Sequence, residues 1–143
     1  ADLEARGLNG STPLLAASYM GQLDVLKYLM HEASADITAL DNDLNSALHL
    51  ASASGHLEIT KFLVTEAGAD LEARGLNGST PLLAASYMGQ LDVLKYLMHE
   101  ASADITALDN DLNSALHLAS ASGHLEITKF LVTEAGADLE ARG

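Results

Sequence analysis

Apolar residues recur along this chain at helical rather than alternating spacing, in short bursts. Leu14, Ala16, Ala17 and Met20 form one burst, and Leu23, Leu26, Tyr28, Leu29 and Met30 form the next; intervals of three and four line one face of a helix. Thr12 is placed to cap the first of these helices. Pro13 falls in its first turn, where a missing N–H breaks no hydrogen bond. Gly21 ends it, because glycine enters the left-handed conformation cheaply. Asp24 sits in the first turn of the second helix, where the helix dipole favours an acid. From Ser34 to Asn45 the pattern breaks into an extended, turn-forming segment that carries Asp41, Asn42, Asp43 and Asn45. Each predicted helix has only two or three turns, too few to persist alone in water. Such helix pairs must stack and share their apolar faces, as in a repeat solenoid.

The chain supplies the copies. Ala1–Gly68 recurs unchanged as Ala69–Gly136, and Ala137–Gly143 begins a third copy within the 143 residues. The 68-residue unit is itself double. Residues 1–34 and 35–68 agree at 12 positions, among them Leu14/Leu48, Ala17/Ala51, Gly21/Gly55, Leu23/Leu57, Lys27/Lys61 and Leu29/Leu63. Glycines and apolar positions at helical spacing are what packing and chain reversal require. The expected organisation is one domain of four modules, 1–34, 35–68, 69–102 and 103–136, with a partial fifth at 137–143.

Composition narrows the function. Seven basic and 20 acidic residues give a net charge of −13, which argues against nucleic acid or an anionic membrane surface as the main partner. There is no cysteine, hence no disulfide or thiolate chemistry. No apolar run approaches the ~20 residues that span a bilayer, and no signal peptide is visible, so the cytoplasm is the default expectation.

Catalytic and metal motifs fail one by one. His31-Glu32 lacks the second histidine of a zinc-protease helix, since residue 35 is alanine. His49 and His56 offer two imidazoles where zinc sites use three or four ligands; they read as a local hydrogen-bonding residue near the hairpin and a cap on the turn between helices. Asp41, Asp43 and Asn45 match the opening of a calcium loop, as do Asp109 and Asp111 in the second copy, but Ser46 and Ser52 replace its glycine and glutamate. A solvated acidic turn fits better, with weak calcium binding as the alternative. Gly7–Thr12 precedes a helix but lacks the lysine of a phosphate loop; Asn9-Gly10 reads as a tight turn. No cofactor and no catalytic residue is expected.

The residues that recur do resemble a known family. Thr12-Pro13-Leu14 with Ala17, Leu48-His49-Leu50-Ala51, Gly55-His56-Leu57-Glu58 and Ala69-Asp70 are similar to the ankyrin repeat pattern. Tetratricopeptide repeats share the 34-residue period, but the chain has no tryptophan and spends a dozen residues per module outside helix. The resemblance implies an all-α repeat solenoid of helix–turn–helix pairs joined by β-hairpin-like loops. Departures from the family pattern are the extra residue per module, placed near His31-Glu32-Ala33 and Thr65-Glu66-Ala67, Leu15 in place of the usual histidine, and Ser46-Ala47 in place of Thr-Pro. Leu44 stands where odd modules have Gly10. Leucine at positive φ would be strained, so the even hairpins are expected to place Asn42 or Asp43 in the left-handed region instead.

The resemblance also implies binding of a protein partner through hairpin tips and the first-helix face. The positions free to do so are Arg6, Leu8, Asn9, Ser11, Tyr19 and Met20 in the first module and Leu40, Asn42, Asp43, Asn45, Ala53 and Ser54 in the second. In the repeated copy the main ones are Arg74, Leu76, Tyr87, Met88 and Asp111. Tyr19 and Met20 have an equally weighted alternative, packing against the next module. A second function is structural. Even solvent-facing positions are copied, which folding does not demand. Recent duplication, design, or an assembly of equivalent units would each produce this. The first and last modules also lack polar caps, so chains are expected to stack end to end into a filament, or the sequence is a window of a longer array. In a filament Ala137–Gly143 and the next chain's Ala1–Gly7 would compete for one place.

Overall fold

The Thr12 hydroxyl accepts the backbone N–H of Leu15, and Gly21 at φ 79° ends the helix that this cap opens. Thr80 and Gly89 do the same in the second copy. In the computed structural model, which describes residues 2–133, α1 (Pro13–Met20) and α2 (Leu23–His31) form the first pair, and α3 (Ala47–Ala53) and α4 (Leu57–Thr65) the second. The third pair is α5 (Pro81–Met88) and α6 (Leu91–His99), and the fourth is α7 (Ala115–Ala121) and α8 (Leu125–Thr133). These eight helices are the α-helices among the described residues, and no strand occurs there. The partial module expected at 137–143 lies outside the described residues.

The pairs stack in sequence order, α1 on α3, α3 on α5 and α5 on α7. Leu14, Leu15, Leu26, Leu48, Ile59 and Leu63 fill one dry cluster, and Leu82, Leu83, Leu94, Leu97, Ile127 and Leu131 fill another, all almost fully buried. Each cluster spans one 68-residue copy, and Val64 and Leu71 pack against both. At roughly 1.5–3 kcal/mol per buried leucine or isoleucine, shared burial is what lets helices of seven to nine residues exist.

The loops bear out the turn chemistry, with one correction. In odd modules Gly7 N–H donates to Ser11 O at 2.7 Å around Asn9 and Gly10, both at positive φ (56° and 70°). A Cβ on Gly10 would lie 2.3 Å from the Asn42 side chain of the next hairpin, so glycine is required there twice over. In even modules the left-handed residue is Leu44 itself, at φ 64°, and Leu112 at 67°. Asn42 and Asp43, expected to take that role, do not. Asp41 explains the difference. Its Oδ1 accepts the N–H of both Asp43 and Asn45 at 2.9 Å, which fixes the turn in a form where only residue 44 is left to carry the reversal. At the module ends, where the extra residue was placed, Ser34, Gly68 and Ser102 take positive φ, and Leu29 O accepts from Ala35 N at 2.8 Å.

Candidate functional site

Two kinds of junction alternate along the stack. Where an odd pair meets an even one, the hairpins are stitched together. Arg6 Nη1 donates to Gly10 O at 2.8 Å and across the junction to Leu40 O. Asn9 Nδ2 donates to Asp43 Oδ2 at 3.0 Å, and Asn42 N–H donates to Asn9 O at 2.9 Å. Arg74, Asn77, Asp111 and Asn110 repeat this arrangement in the second copy. Where even meets odd, between the second and third pairs, leucine replaces the arginine at residue 40 and the work passes to His49.

His49 is 2% exposed. Its Nδ1 accepts from the Ser46 N–H at 3.3 Å while its own N–H donates to Ser46 Oγ, a reciprocal cap of α3. Since Nδ1 accepts, Nε2 carries the proton, and it donates to Ser79 O of the third module at 2.8 Å. Burial pushes the His49 imidazole below the ordinary histidine range, against the opposing pull of the Ser79 and Ala73 carbonyls and of Asp41 and Asp70. The histidine thus bonds locally, as its sequence position suggests, and also across to the next module, which that position does not reveal.

A second rung runs along the turns between paired helices. His56 Nε2 donates to Tyr19 O at 2.8 Å, Gln90 Nε2 to Ala53 O at 3.0 Å and His124 Nε2 to Tyr87 O at 2.8 Å. Each closes the C-terminal end of the preceding module's first helix rather than its own turn, as expected for His56. The approach is close: a Cβ on Gly55 would lie 2.4 Å from Gln90 Oε1.

Of the side chains proposed for binding, those of the first copy line one groove. A groove of about 830 Å³ is lined by Arg6, Leu8, Tyr19, Met20 and Asp43, with Leu50 of α3 among its further walls. Leu8 is 94% exposed. Tyr87, inside the stack, stays as open as Tyr19 at its start, both 56% exposed, and Met88 remains exposed at 51% beside 62% for Met20. The neighbouring pair therefore does not cover them, and the packing alternative for these residues is set aside. Leu76 is exposed as well. Arg6 and Asp43 are tied to the hairpins, as are Arg74 and Asp111.

The acidic turn is built for hydrogen bonds. Asp41 is nearly buried, and beyond its two backbone N–H donors its Oδ2 accepts from Asn45 Nδ2 at 3.2 Å. Among the described residues no cluster of three or more His, Cys, Asp or Glu is arranged to hold a metal ion. Asp36 and Asp104 are held below the usual carboxylate range by the hydroxyls and N–H groups of Thr38 and Thr106, a local turn device on exposed side chains. No helix among the described residues is long and apolar enough to cross a membrane.

A stack of helix–turn–helix pairs, with projecting hairpins and a groove beneath them, defines a tandem-repeat solenoid. A family model for ankyrin repeats, three copies per match, fits residues 1–75 and again 67–142. The chain belongs to the ankyrin repeat family. Ankyrin repeats are generally protein–protein interaction modules and are typically non-catalytic.

Proposed function

We propose that this chain is a single non-catalytic recognition domain of four 34-residue modules, which binds a protein partner in the groove beneath its hairpins. The observation that carries this reading is the exposure of Tyr87 inside the stack, matched by Tyr19. Folding gains little by leaving an aromatic ring open in two successive copies, whereas tyrosine is enriched where binding energy concentrates. Leu8, Tyr19 and Met20, with Leu76, Tyr87 and Met88, supply apolar contact. Arg6, Asp43, Arg74 and Asp111 hold the tips that present it. The test compares wild-type chain with the double variant Tyr19→Ala/Tyr87→Ala, immobilised at matched helicity and exposed to extract from the source cells. Proteins retained by the wild type should fall at least tenfold on the variant. Unchanged retention on a folded variant would overturn the groove as the site.

A second reading, association of chains through their ends, is favoured by the exposure of Val25 and Tyr28 on the first pair and of Leu125 on the fourth.

A further inference from the structure

Val25 and Tyr28 are 50% and 61% exposed, while their copies Val93 and Tyr96 are 1% and 7% exposed. The sequences around them are identical. What differs is that the second pair lies over α6 and α5. The same holds at the other end: Leu57 packs against the core cluster of the second copy, whereas its copy Leu125 is 61% exposed. The chain therefore contains, between its second and third pairs, a finished version of the contact that its fourth pair would make on a first pair.

Resting on the second reading above, we infer that this contact is polar, fourth pair onto first pair of a second copy, rather than a two-fold pairing of like ends. The internal junction supplies each bond by residue identity. Gln22 stands for Gln90 and would donate to the Ala121 carbonyl as Gln90 does to Ala53 at 3.0 Å. His117 stands for His49 and would donate to the Ser11 carbonyl as His49 does to Ser79 at 2.8 Å. Lys129 stands for Lys61, whose ammonium lies 5.8 Å from the centre of the Tyr96 ring, and would sit over Tyr28. Val25 and Tyr28 would be covered by α8 as Val93 and Tyr96 are covered from α4. A pairing of two first modules brings together two Gln22 side chains and no counterpart of His117 or Lys129 from the fourth pair, and so matches none of these bonds. A contact between unlike faces does not close on itself, so it extends into an open stack. Ala1–Gly7 of the incoming chain and Ala137–Gly143 of the chain it joins have the sequence of one internal segment, so one of the two must leave that place when the contact forms.

The test uses two variants of the full chain, each blocking one face that is exposed in the free molecule: Tyr28→Lys, which sets a like charge against Lys129, and Leu125→Glu. Molar mass is read by sedimentation equilibrium from micromolar to millimolar concentration, with circular dichroism as the folding control. Wild-type mass should rise continuously with concentration, and each variant alone should stay monomeric. An equimolar mixture should form a dimer of one chain of each kind and nothing larger, because only one unlike pair of intact faces remains. Tyr19→Glu, in the groove, should associate like wild type. Association of Leu125→Glu alone would show pairing of like first-module ends and overturn the inference, while leaving self-association standing. A mixture that stays monomeric, or a Tyr28→Lys chain that still associates, would overturn it too. A wild-type chain that is monomeric throughout would overturn both this inference and the second reading.

Discussion

The Oδ1 of Asp41 accepts the backbone N–H of Asp43 and of Asn45, each at 2.9 Å, and Leu44, the residue between those amides, sits at φ 64°. Asp109, Asp111, Asn113 and Leu112 repeat the arrangement in the second copy. A left-handed leucine costs about 1–2 kcal/mol, and charge-assisted hydrogen bonds are worth about 1.5–3 kcal/mol. The carboxylate outweighs the strain.

Asp41→Ala should therefore destabilise the fold by about 2 kcal/mol, the scale of lost hydrogen bonds to a charged group. Leu44→Val should cost about 1 kcal/mol or more, since a β-branched residue tolerates positive φ worse than leucine. Both are read from urea midpoints at constant slope.

The rung along the turns predicts a position effect for one residue type. The Gln90 side chain bridges to Ala53 O at 3.0 Å, whereas its copy Gln22 is exposed and its side chain has no hydrogen-bond partner among the described residues. Gln90→Ala should cost about 1 kcal/mol, and Gln22→Ala should stay within about 0.5 kcal/mol of wild type.

Valine gives the apolar counterpart. Val93 is buried and Val25 is half exposed. Val93→Ala should lose about 2 kcal/mol, two methyl groups' burial plus the cavity they leave. Val25→Ala should lose a small fraction of that in the dilute monomer. Thermal or urea unfolding of the two variants side by side decides it.

His49 carries the pH dependence. Its folded imidazole is held below the ordinary value of 6.5 by burial, so below about 6.5 the unfolded chain takes up a proton that the folded chain refuses. The stability is fully present above that pH and is lost progressively as pH falls toward the lower folded value. Between pH 8 and 5 wild type should lose stability faster than His49→Gln, which has no such proton to take up. Parallel curves for the two would show that His49 does not carry the effect.

Much of the fold was legible because its instructions are local. Thr12, Pro13 and Gly21 bound α1 through contacts within their own turn of chain. The even hairpin was misread at Leu44 because intrinsic preference favours Asn or Asp at positive φ, and the overriding term is a side chain three residues earlier. The groove residues Tyr19 and Met20 were visible as candidates, but helical spacing alone assigns them equally to core or surface. The roles of His56 and Gln90 across modules were missed. The signal was present, a hydrogen-bonding residue following each turn glycine at Gly21-Gln22, Gly55-His56 and Gly89-Gln90, but their partners lie 37 residues away.

The sequence by itself determined the helix ends, the two-helix module and the need for modules to stack, because caps, glycines and apolar spacing act within a few residues. Only the tertiary structure decided which copy of each side chain is dry. Tyr28 and Tyr96 have the same neighbours along the chain and differ solely in what is stacked on them. Burial is a property of the partner across the junction, and no local pattern records it.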